Sequence, residues 1–421
     1  MPVRLSPRDQ EMLDGSHGPA PQLAMSILVR MAEVYGAAEL MDISGAHIDS
    51  TIYLGDATLE FAERLASLGA RVAVPTSLNV SGVDECGWTR WSVPEEWARK
   101  AARQMQAYET MGAVPTWTCA PYQTQMRPRF GQQIAWGESN AISFANSVIG
   151  ARTQRYPDLL DICCAITGRV PAVGLHLEEN RGGDVLCRLV DVPAELQADD
   201  QFMAVLGHLV GQIAGDDIPV IDGLVVLPND DQLKAFAAAA ASSGRVALFH
   251  MVGITPEAPS RNEALHGRPP KREVPITRAA LRAARAELTT ADGRDLDMVI
   301  LGSPHFSPAE FARLAPLVGG RQKHPRVRFL ITSGRPLRED AERAGTLQPV
   351  LEFGAEITLD TCILASPMLP PDIRTLMTNS AKYAYYAPSL LDRQVTFGSL
   401  EDCVRSAIEG RVVRDETRWN D

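Results

Sequence analysis

Short apolar runs alternate along this chain with longer segments in which apolar residues recur every three or four positions. The short runs are bounded by Gly, Pro or Ser and predict strands at residues 38–43, 71–75, 114–118, 245–250, 296–301 and 327–332. The longer segments predict helices at residues 57–68, 95–111, 196–213, 279–288 and 308–317. This alternation predicts an α/β fold built of βαβ units with mostly parallel sheets.

Two stretches interrupt the pattern, the polar residues 154–158 and the proline-containing residues 255–272. A chain of 421 residues, 45% of them hydrophobic, is too long for one simple core. We therefore expect one catalytic region over residues 1–421, with lobes at about 1–155, 156–275 and 276–421.

The formal net charge of −11 argues against nucleic acid or an anionic membrane as the main partner. The chain has no apolar run of about 18 residues and does not begin with the apolar core of a signal peptide, so we expect a cytoplasmic protein without a membrane span. The seven cysteines are then predicted to be reduced. Without a Cys-x-x-Cys pair, a zinc ribbon or a thioredoxin-type redox site is not expected.

Parallel sheets bind ligands at the carboxyl ends of their strands, so the residues that follow each predicted strand are candidates for chemistry. Cys119 and Cys362 occupy such positions, whereas a cysteine inside an apolar run is more commonly a packing residue. Hydroxyl groups, His305 and Arg335 also follow strands. A second dense segment, residues 134–152, places Glu138, Asn140 and Arg152 among apolar residues. This pattern fits either a satisfied helix-packing network or a binding site.

The ordered motifs of this chain resemble the aconitase X family. Two of them are Thr118-Cys119-Ala120-Pro121-Tyr122 and Asp360-Thr361-Cys362. The others lie at residues 12–15, 46–49, 74–80, 135–141, 144–147, 150–153, 165–171, 174–176, 252–259, 379–383 and 397–400. The resemblance covers nearly the whole chain and implies a three-lobed α/β catalytic unit. It also implies a swivelling domain that carries a catalytic serine. We expect that domain on a separate small subunit, because the motifs leave no room for it here.

The resemblance implies three ligand positions for an iron–sulfur cluster. Cys119 and Cys362 match two of them. The third normally reads Gly-Cys-Pro-His, but this chain has Gly302-Ser303-Pro304-His305. Because iron–sulfur clusters prefer thiolates, Ser303 leaves the centre open between [2Fe–2S], [4Fe–4S] and mononuclear iron. Cys86 or His305 could also complete it.

The family implies a hydro-lyase that acts on a small hydroxy acid. Its bacterial branch, which the motifs resemble more, dehydrates cis-3-hydroxy-L-proline to pyrroline-2-carboxylate. Its archaeal branch dehydrates phosphomevalonate, and a metal-free, non-catalytic homologue is a third hypothesis. An iron centre would act as Lewis acid on the leaving hydroxyl group. The candidates for proton delivery are His47, His176 and His305. The candidate substrate-binding residues are Asp49, Ser50, Thr51, Thr76, Ser77, Asn79, Glu138, Ser139, Asn140, Arg152, Ser333, Arg335 and Lys382.

Overall fold

A computed structural model describes residues 3–420, which form four β-sheets flanked by helices. In the first part of the chain, three short parallel strands pair in the order β3-β2-β4, and β1 pairs with β5 in antiparallel fashion. The elements of this part are α1 (Pro7–Asp14), α2 (Pro19–Val34), β1 (Leu40–Asp42), β2 (Ala46–Ile48), α3 (Asp56–Ser67), β3 (Thr76–Leu78), α4 (Glu95–Thr110), β4 (Ala135–Trp136), α5 (Ser139–Phe144), α6 (Leu160–Thr167) and β5 (Arg169–Pro171).

The middle part of the chain forms a parallel sheet in the order β8-β7-β6-β9. Its elements are β6 (Val185–Leu189), α7 (Ala194–Gln197), α8 (Phe202–Ala214), β7 (Pro219–Asp222), α9 (Asp230–Gly244), β8 (His250–Met251), α10 (Arg261–Ala264), β9 (Arg272–Ile276) and α11 (Arg278–Glu287). Helices α8 and α9 pack closely because glycines face the partner backbone. A Cβ on Gly207 would lie 2.5 Å from the carbonyl oxygen of Phe236.

The last part of the chain forms a five-stranded parallel sheet in the order β12-β11-β10-β13-β14. Its elements are β10 (Met298–Leu301), α12 (Pro308–Val318), β11 (Arg328–Ser333), α13 (Arg335–Arg343), α14 (Leu347–Glu352), β12 (Glu356–Leu359), β13 (Thr375–Thr378), α15 (Ala381–Leu391), β14 (Gln394–Phe397) and α16 (Leu400–Glu409). The strand order reverses between β10 and β13. Open α/β sheets bind ligands in the crevice at such a switch point.

The predicted α/β class with mostly parallel sheets is confirmed, and the predicted helices are present, although the helix expected at 196–213 is divided into α7 and α8. The strand expected at 71–75 is wrong, because pairing begins only at Thr76. The strand expected at 114–118 contributes a single bridge, from Val114 to Ser77. The strand expected at 245–250 is limited to His250–Met251.

The largest correction concerns residues 44–50, which follow the first predicted strand and in which the sequence predicted no strand. Ala46–Ile48 is instead the central strand of the first parallel sheet, and all three residues are buried. A three-residue strand is too short to show a period, and its histidine hides the apolar pattern.

The predicted division into lobes near residues 155 and 275 stays a prediction. Arg169–Pro171, which lies past the first of these positions, pairs with Leu40–Asp42. Within the described residues, no helix is long and apolar enough to cross a membrane.

Candidate active site

A cavity of about 370 Å³ lies where the carboxyl ends of the first and the last parallel sheets face each other. Residues that follow β2, β3, β4, β10, β12 and β13 all contribute to its lining. From the first sheet come Asp49, Asn79, Glu138 and Ser139. From the last sheet come Ser303, His305, Thr361, Cys362 and Lys382. Cys119, from the first part of the chain, also lines the cavity. The cavity therefore occupies the switch point that the strand order predicts for a ligand.

Cys119 and Cys362 line this cavity together, and both are free thiols. Burial, and then the negative charge of Glu138, raise the pKa of the Cys119 thiol to about 12. Burial likewise raises the pKa of Cys362. The main-chain N–H of His305 donates a hydrogen bond to Cys119 Sγ at 3.3 Å. Thiols held in this way stay protonated near neutral pH until a cation displaces the protons.

His305 joins the two cysteine-bearing segments. Its Nε2 lies 3.1 Å from the carbonyl oxygen of Thr361, and its Nδ1 lies 3.1 Å from Thr118 Oγ1. Because a carbonyl only accepts, Nε2 carries the proton, and Nδ1 then accepts from the Thr118 hydroxyl. Burial lowers the pKa of the imidazole to about 4, so the ring is neutral. Both ring nitrogens are occupied by these bonds, which gives His305 a bridging role.

The only lysine in the cavity lining within residues 3–420 is Lys382, and it pairs with Glu138. Lys382 Nζ lies 2.8 Å from Glu138 Oε1, and the two side chains are 13% and 7% exposed. Glu138 Oε2 also caps α5 by accepting the main-chain N–H of Ala141 at 2.6 Å. Burial opposes the charge of Lys382, but Glu138 and the nearby sulfurs outweigh it and hold its pKa above the ordinary value. The ammonium is therefore charged and fixed in place.

Asp49 is a second carboxylate in the cavity, and no cation pairs with it in the described structure. Its Oδ1 accepts a hydrogen bond from Asn79 Nδ2. Burial, followed by the charges of Glu138, Asp158 and Asp161, raises its pKa well above the usual range. A cationic ligand would relieve this repulsion and lower the pKa again.

Asp161 supports the loop that carries Asp49. Its carboxylate accepts the main-chain N–H groups of Asp49 at 2.6 Å and Ser50 at 3.1 Å, and the hydroxyl of Ser50 at 2.7 Å. Gly137 lets the strands approach here, because a Cβ at this position would lie 2.6 Å from that of Asp49.

The donor set of the cavity fits an iron centre with few protein ligands. Two thiols face the space, and thiolates are the ligands that iron–sulfur chemistry prefers. Ser303, at the third family position, also lines the cavity, and its carbonyl accepts the hydroxyl of Ser380. Among residues 3–420, no group of three or more His, Cys, Asp or Glu side chains is arranged to hold a metal ion. Two cysteines would thus leave coordination positions for other ligands.

Several predicted site residues lie outside the cavity, each bonded to the protein itself. The buried His47 packs behind it, with Nδ1 2.8 Å from Ser77 Oγ. His176 lies between Tyr156 and Gln133. Burial lowers the pKa of both imidazoles to about 3. Neither histidine lines the cavity, and the buried His47 Nε2 has no hydrogen-bond partner among the described residues.

The remaining predicted polar residues form hydrogen bonds or ion pairs with other groups of the protein. Arg152 pairs with Glu178 at 2.8 Å and Glu257 at 2.9 Å, and Arg335 pairs with Asp360 at 2.6 Å. Asn140 Nδ2 donates to the carbonyl oxygen of Cys119 at 2.8 Å, so it supports the cysteine from behind. Side-chain hydroxyls donate to carboxylate or carbonyl oxygens in Ser50, Thr51, Thr76 and Ser333. The hydroxyl of Ser77 forms a hydrogen bond with His47.

The apolar wall of the cavity was not anticipated from the sequence. Tyr383, Tyr386 and Leu390 line it from α15, and Ile52 and Leu54 line it from the loop after β2. The spacing of residues 383, 386 and 390 places them on one face of a helix, which is the signal that could have identified them.

Comparison with known families agrees with this geometry. The chain matches the aconitase X first domain over residues 2–179, the second domain over 185–286 and the third domain over 296–409. The chain belongs to the aconitase X family. The resemblance inferred from the ordered motifs is thereby confirmed.

Curated members of the aconitase X family fall into two groups by similarity to this chain. The cis-3-hydroxy-L-proline dehydratase of Pseudomonas aeruginosa is 50% identical over 419 residues, which cover 99% of this chain and 72% of that protein. The enzyme of the same name from Hypocrea jecorina is 45% identical, covering 97% of this chain and 69% of that protein. The phosphomevalonate dehydratase large subunit of Methanothermobacter thermautotrophicus is 35% identical, covering 96% of this chain and 98% of that protein.

A solved structure shares the fold. The crystal structure of Thermococcus kodakaraensis aconitase X (holo-form) superimposes with a TM-score of 0.87 at 32% identity. It covers 96% of this chain, and the matched region is 100% of that chain.

The environment of Cys119 predicts slow alkylation in the iron-free protein. At pH 8, iodoacetamide should modify the exposed Cys86 before Cys119, because burial raises the Cys119 pKa to about 12 and the thiolate is the reactive form. Peptide mass spectrometry after timed alkylation measures both rates in one sample. Faster labelling of Cys119 than of Cys86 would contradict the partly buried, protonated thiol.

Proposed function

We propose that this chain is the catalytic subunit of a hydro-lyase that dehydrates cis-3-hydroxy-L-proline to pyrroline-2-carboxylate. The two relatives that are 50% and 45% identical to it carry the name of that dehydratase. The observation in this molecule that carries the proposal is the charge balance of the cavity. Two carboxylates, Asp49 and Glu138, face one ammonium, Lys382.

This balance favours a zwitterionic amino acid. Lys382 can donate to the substrate carboxylate while it stays paired with Glu138. The uncompensated carboxylate of Asp49 is then suited to the ring ammonium of hydroxyproline, since opposite charges within a few ångströms stabilise each other strongly in a buried site. The apolar residues Ile52, Leu54 and Leu390 offer a surface for the carbon atoms of the ring.

The same balance disfavours phosphomevalonate, whose dehydratases are 32–35% identical to this chain. A phosphate group is usually bound by arginine, by several main-chain N–H groups or by unpaired lysines. Among the described residues, the cavity lining contains no arginine, and its one lysine is neutralised by Glu138. A substrate with both a phosphate and a carboxylate would place its negative charges beside Asp49 and Glu138, with no unpaired cation in the described lining to compensate them.

We propose an iron centre held by Cys119 and Cys362, with Ser303 at the third position. The shared cavity of the two thiols supports this assignment. Two thiolates suit a mononuclear or two-iron centre better than a four-iron cluster, which commonly takes more cysteines. When bound, such a centre supplies a Lewis acid for the departing hydroxyl group. The seven free cysteines support a reducing, cytoplasmic location.

The residues of this chain then bind and orient the substrate. Lys382 Nζ stabilises the negative charge that develops on the carboxylate when the Cα proton leaves. Asp49 holds the ring nitrogen, and neutral His305 keeps the segments of Cys119 and Cys362 at fixed positions. We propose that the base is the serine of a swivelling domain on a small subunit. The name "large subunit" of the archaeal relatives supports a second polypeptide.

A substrate comparison tests the proposed function. The chain, reconstituted anaerobically with iron and with its candidate small subunit, should dehydrate cis-3-hydroxy-L-proline and leave phosphomevalonate unchanged. Product formation is followed as pyrroline-2-carboxylate by mass spectrometry, with each polypeptide alone as a control. Dehydration of phosphomevalonate alone would reverse the substrate assignment. A reconstituted protein that binds iron but dehydrates neither compound would refute both substrate assignments.

Asp49 predicts a specific pH dependence for kcat/KM. The carboxylate binds the ring ammonium only when ionised, so kcat/KM should fall as the pH drops through the raised Asp49 pKa. Asp49→Asn should lower kcat/KM by roughly 10- to 100-fold, the cost of a charged hydrogen bond, and remove this acid limb.

Asp158→Asn provides the matched control for this measurement. The charge of Asp158 raises the Asp49 pKa, so its removal should shift the acid limb to lower pH and leave the plateau rate unchanged. An Asp49→Asn enzyme that keeps the wild-type limb would show that another group governs the pH profile.

A further inference from the structure

The N-terminal turn of α9, in the middle part of the chain, contacts segments from both of the other parts. Arg127 and Gln123, which follow Cys119, bind Asp230 at 2.9 Å and Asp231 at 3.2 Å. Ser307, which follows the Ser303 segment, donates its hydroxyl to Asp231 Oδ2 at 2.8 Å. One helix end therefore holds two of the segments that carry proposed ligand positions.

Lys234 is the buried centre of this junction. Its side chain is 2% exposed, and Nζ lies 3.0 Å from Asp231 Oδ1. Nζ also binds Glu310 and donates to the main-chain carbonyl oxygen of His305 at 3.2 Å. Burial opposes the charge, but Glu310 and Asp231 outweigh it and hold the pKa of the ammonium above its ordinary value.

The carbonyl that Lys234 holds belongs to the residue whose N–H contacts Cys119 Sγ. A shift of the His305 main chain would therefore disturb the contact with Cys119 and would also move Ser303, two residues earlier. A cavity of about 50 Å³ behind the segment, lined by Lys234, Ser303 and Asn379, gives the loop room to relax once the lysine is removed. The bond from Lys234 to the His305 carbonyl is thus placed to keep the loop from shifting into this cavity.

We propose that Lys234 is a positioning residue for the iron centre, holding the 303–307 segment so that His305 stays bonded to the sulfur of Cys119. This inference rests on the proposed iron site at Cys119 and Cys362. Lys234 does not line the cavity that contains the two cysteines. Its effect reaches the ligands through the main chain, as supporting residues around metal ligands commonly do.

Lys234→Ala tests the proposal through iron retention rather than activity. After anaerobic reconstitution, transfer of iron to a ferrous chelator should be roughly 10–100-fold faster than in the wild type. Methylammonium added to the solution should slow the release again, because it can occupy the vacated space. Lys100→Ala, which removes an ion pair with Asp56 far from this segment, should release iron at the wild-type rate and show no rescue.

Glu310→Gln separates positioning from general destabilisation. It removes the negative charge beside Lys234, but the glutamine oxygen can still accept the Ser307 main-chain N–H and the lysine keeps its bond to the His305 carbonyl, so the release rate should stay within about twofold of the wild type at a comparable loss of thermal stability. If Lys234→Ala does not fold, Lys234→Met/Glu310→Gln replaces it, and faster release than in Glu310→Gln alone supports the proposal. The proposal would be overturned if the Lys234 variant released iron at the same rate as Glu310→Gln. It would also be overturned if methylammonium did not slow iron release from folded Lys234→Ala. A wild-type chain that binds no iron would refute the iron site itself, and the inference with it.

Discussion

The cavity depends on the hydrogen bonds of one neutral histidine, His305. Its N–H contacts Cys119, its ring bridges Thr118 and Thr361, and its carbonyl accepts from Lys234. These partners come from all three parts of the chain. Burial keeps the imidazole neutral, so Nε2 donates to the Thr361 carbonyl while Nδ1 accepts from the Thr118 hydroxyl. The contacts that join the three parts of the chain therefore also hold the segments that carry the two thiols.

Charge is the second constraint on the cavity. Lys382 compensates Glu138, while Asp49 lies among other carboxylates, and its side chain bonds only the Asn79 amide among residues 3–420. Leaving a buried carboxylate without a cation is costly, and active sites keep such groups where a ligand provides the compensation. We propose that the cost of burying Asp49 without a cation in the free protein contributes to selectivity for a cationic substrate. By the same reasoning, we propose that a phosphate group is poorly suited to this cavity.

Sequence patterns identified the fold class and the family, but they could not separate the cavity residues from their supports. Cys119, Glu138 and Lys382 line the space, whereas Ser50 and Arg152, from equally polar motifs, satisfy buried partners. Both kinds of residue are polar in apolar surroundings, and only the strand order shows which ones face the crevice. The central strand Ala46–Ile48 was missed because three residues show no period. Lys234 was missed because two of its partners, His305 and Glu310, lie more than 70 residues away along the chain.

Iron binding by cysteine variants is the most direct test of this account. The wild type, Cys119→Ser, Cys362→Ser and the exposed-site control Cys86→Ser would be reconstituted anaerobically with ferrous iron and sulfide. Iron content and visible absorbance would then be measured on each desalted protein. The account predicts a loss of most iron and absorbance in Cys119→Ser and Cys362→Ser, and wild-type values in Cys86→Ser. Unchanged iron in both cavity variants would contradict it.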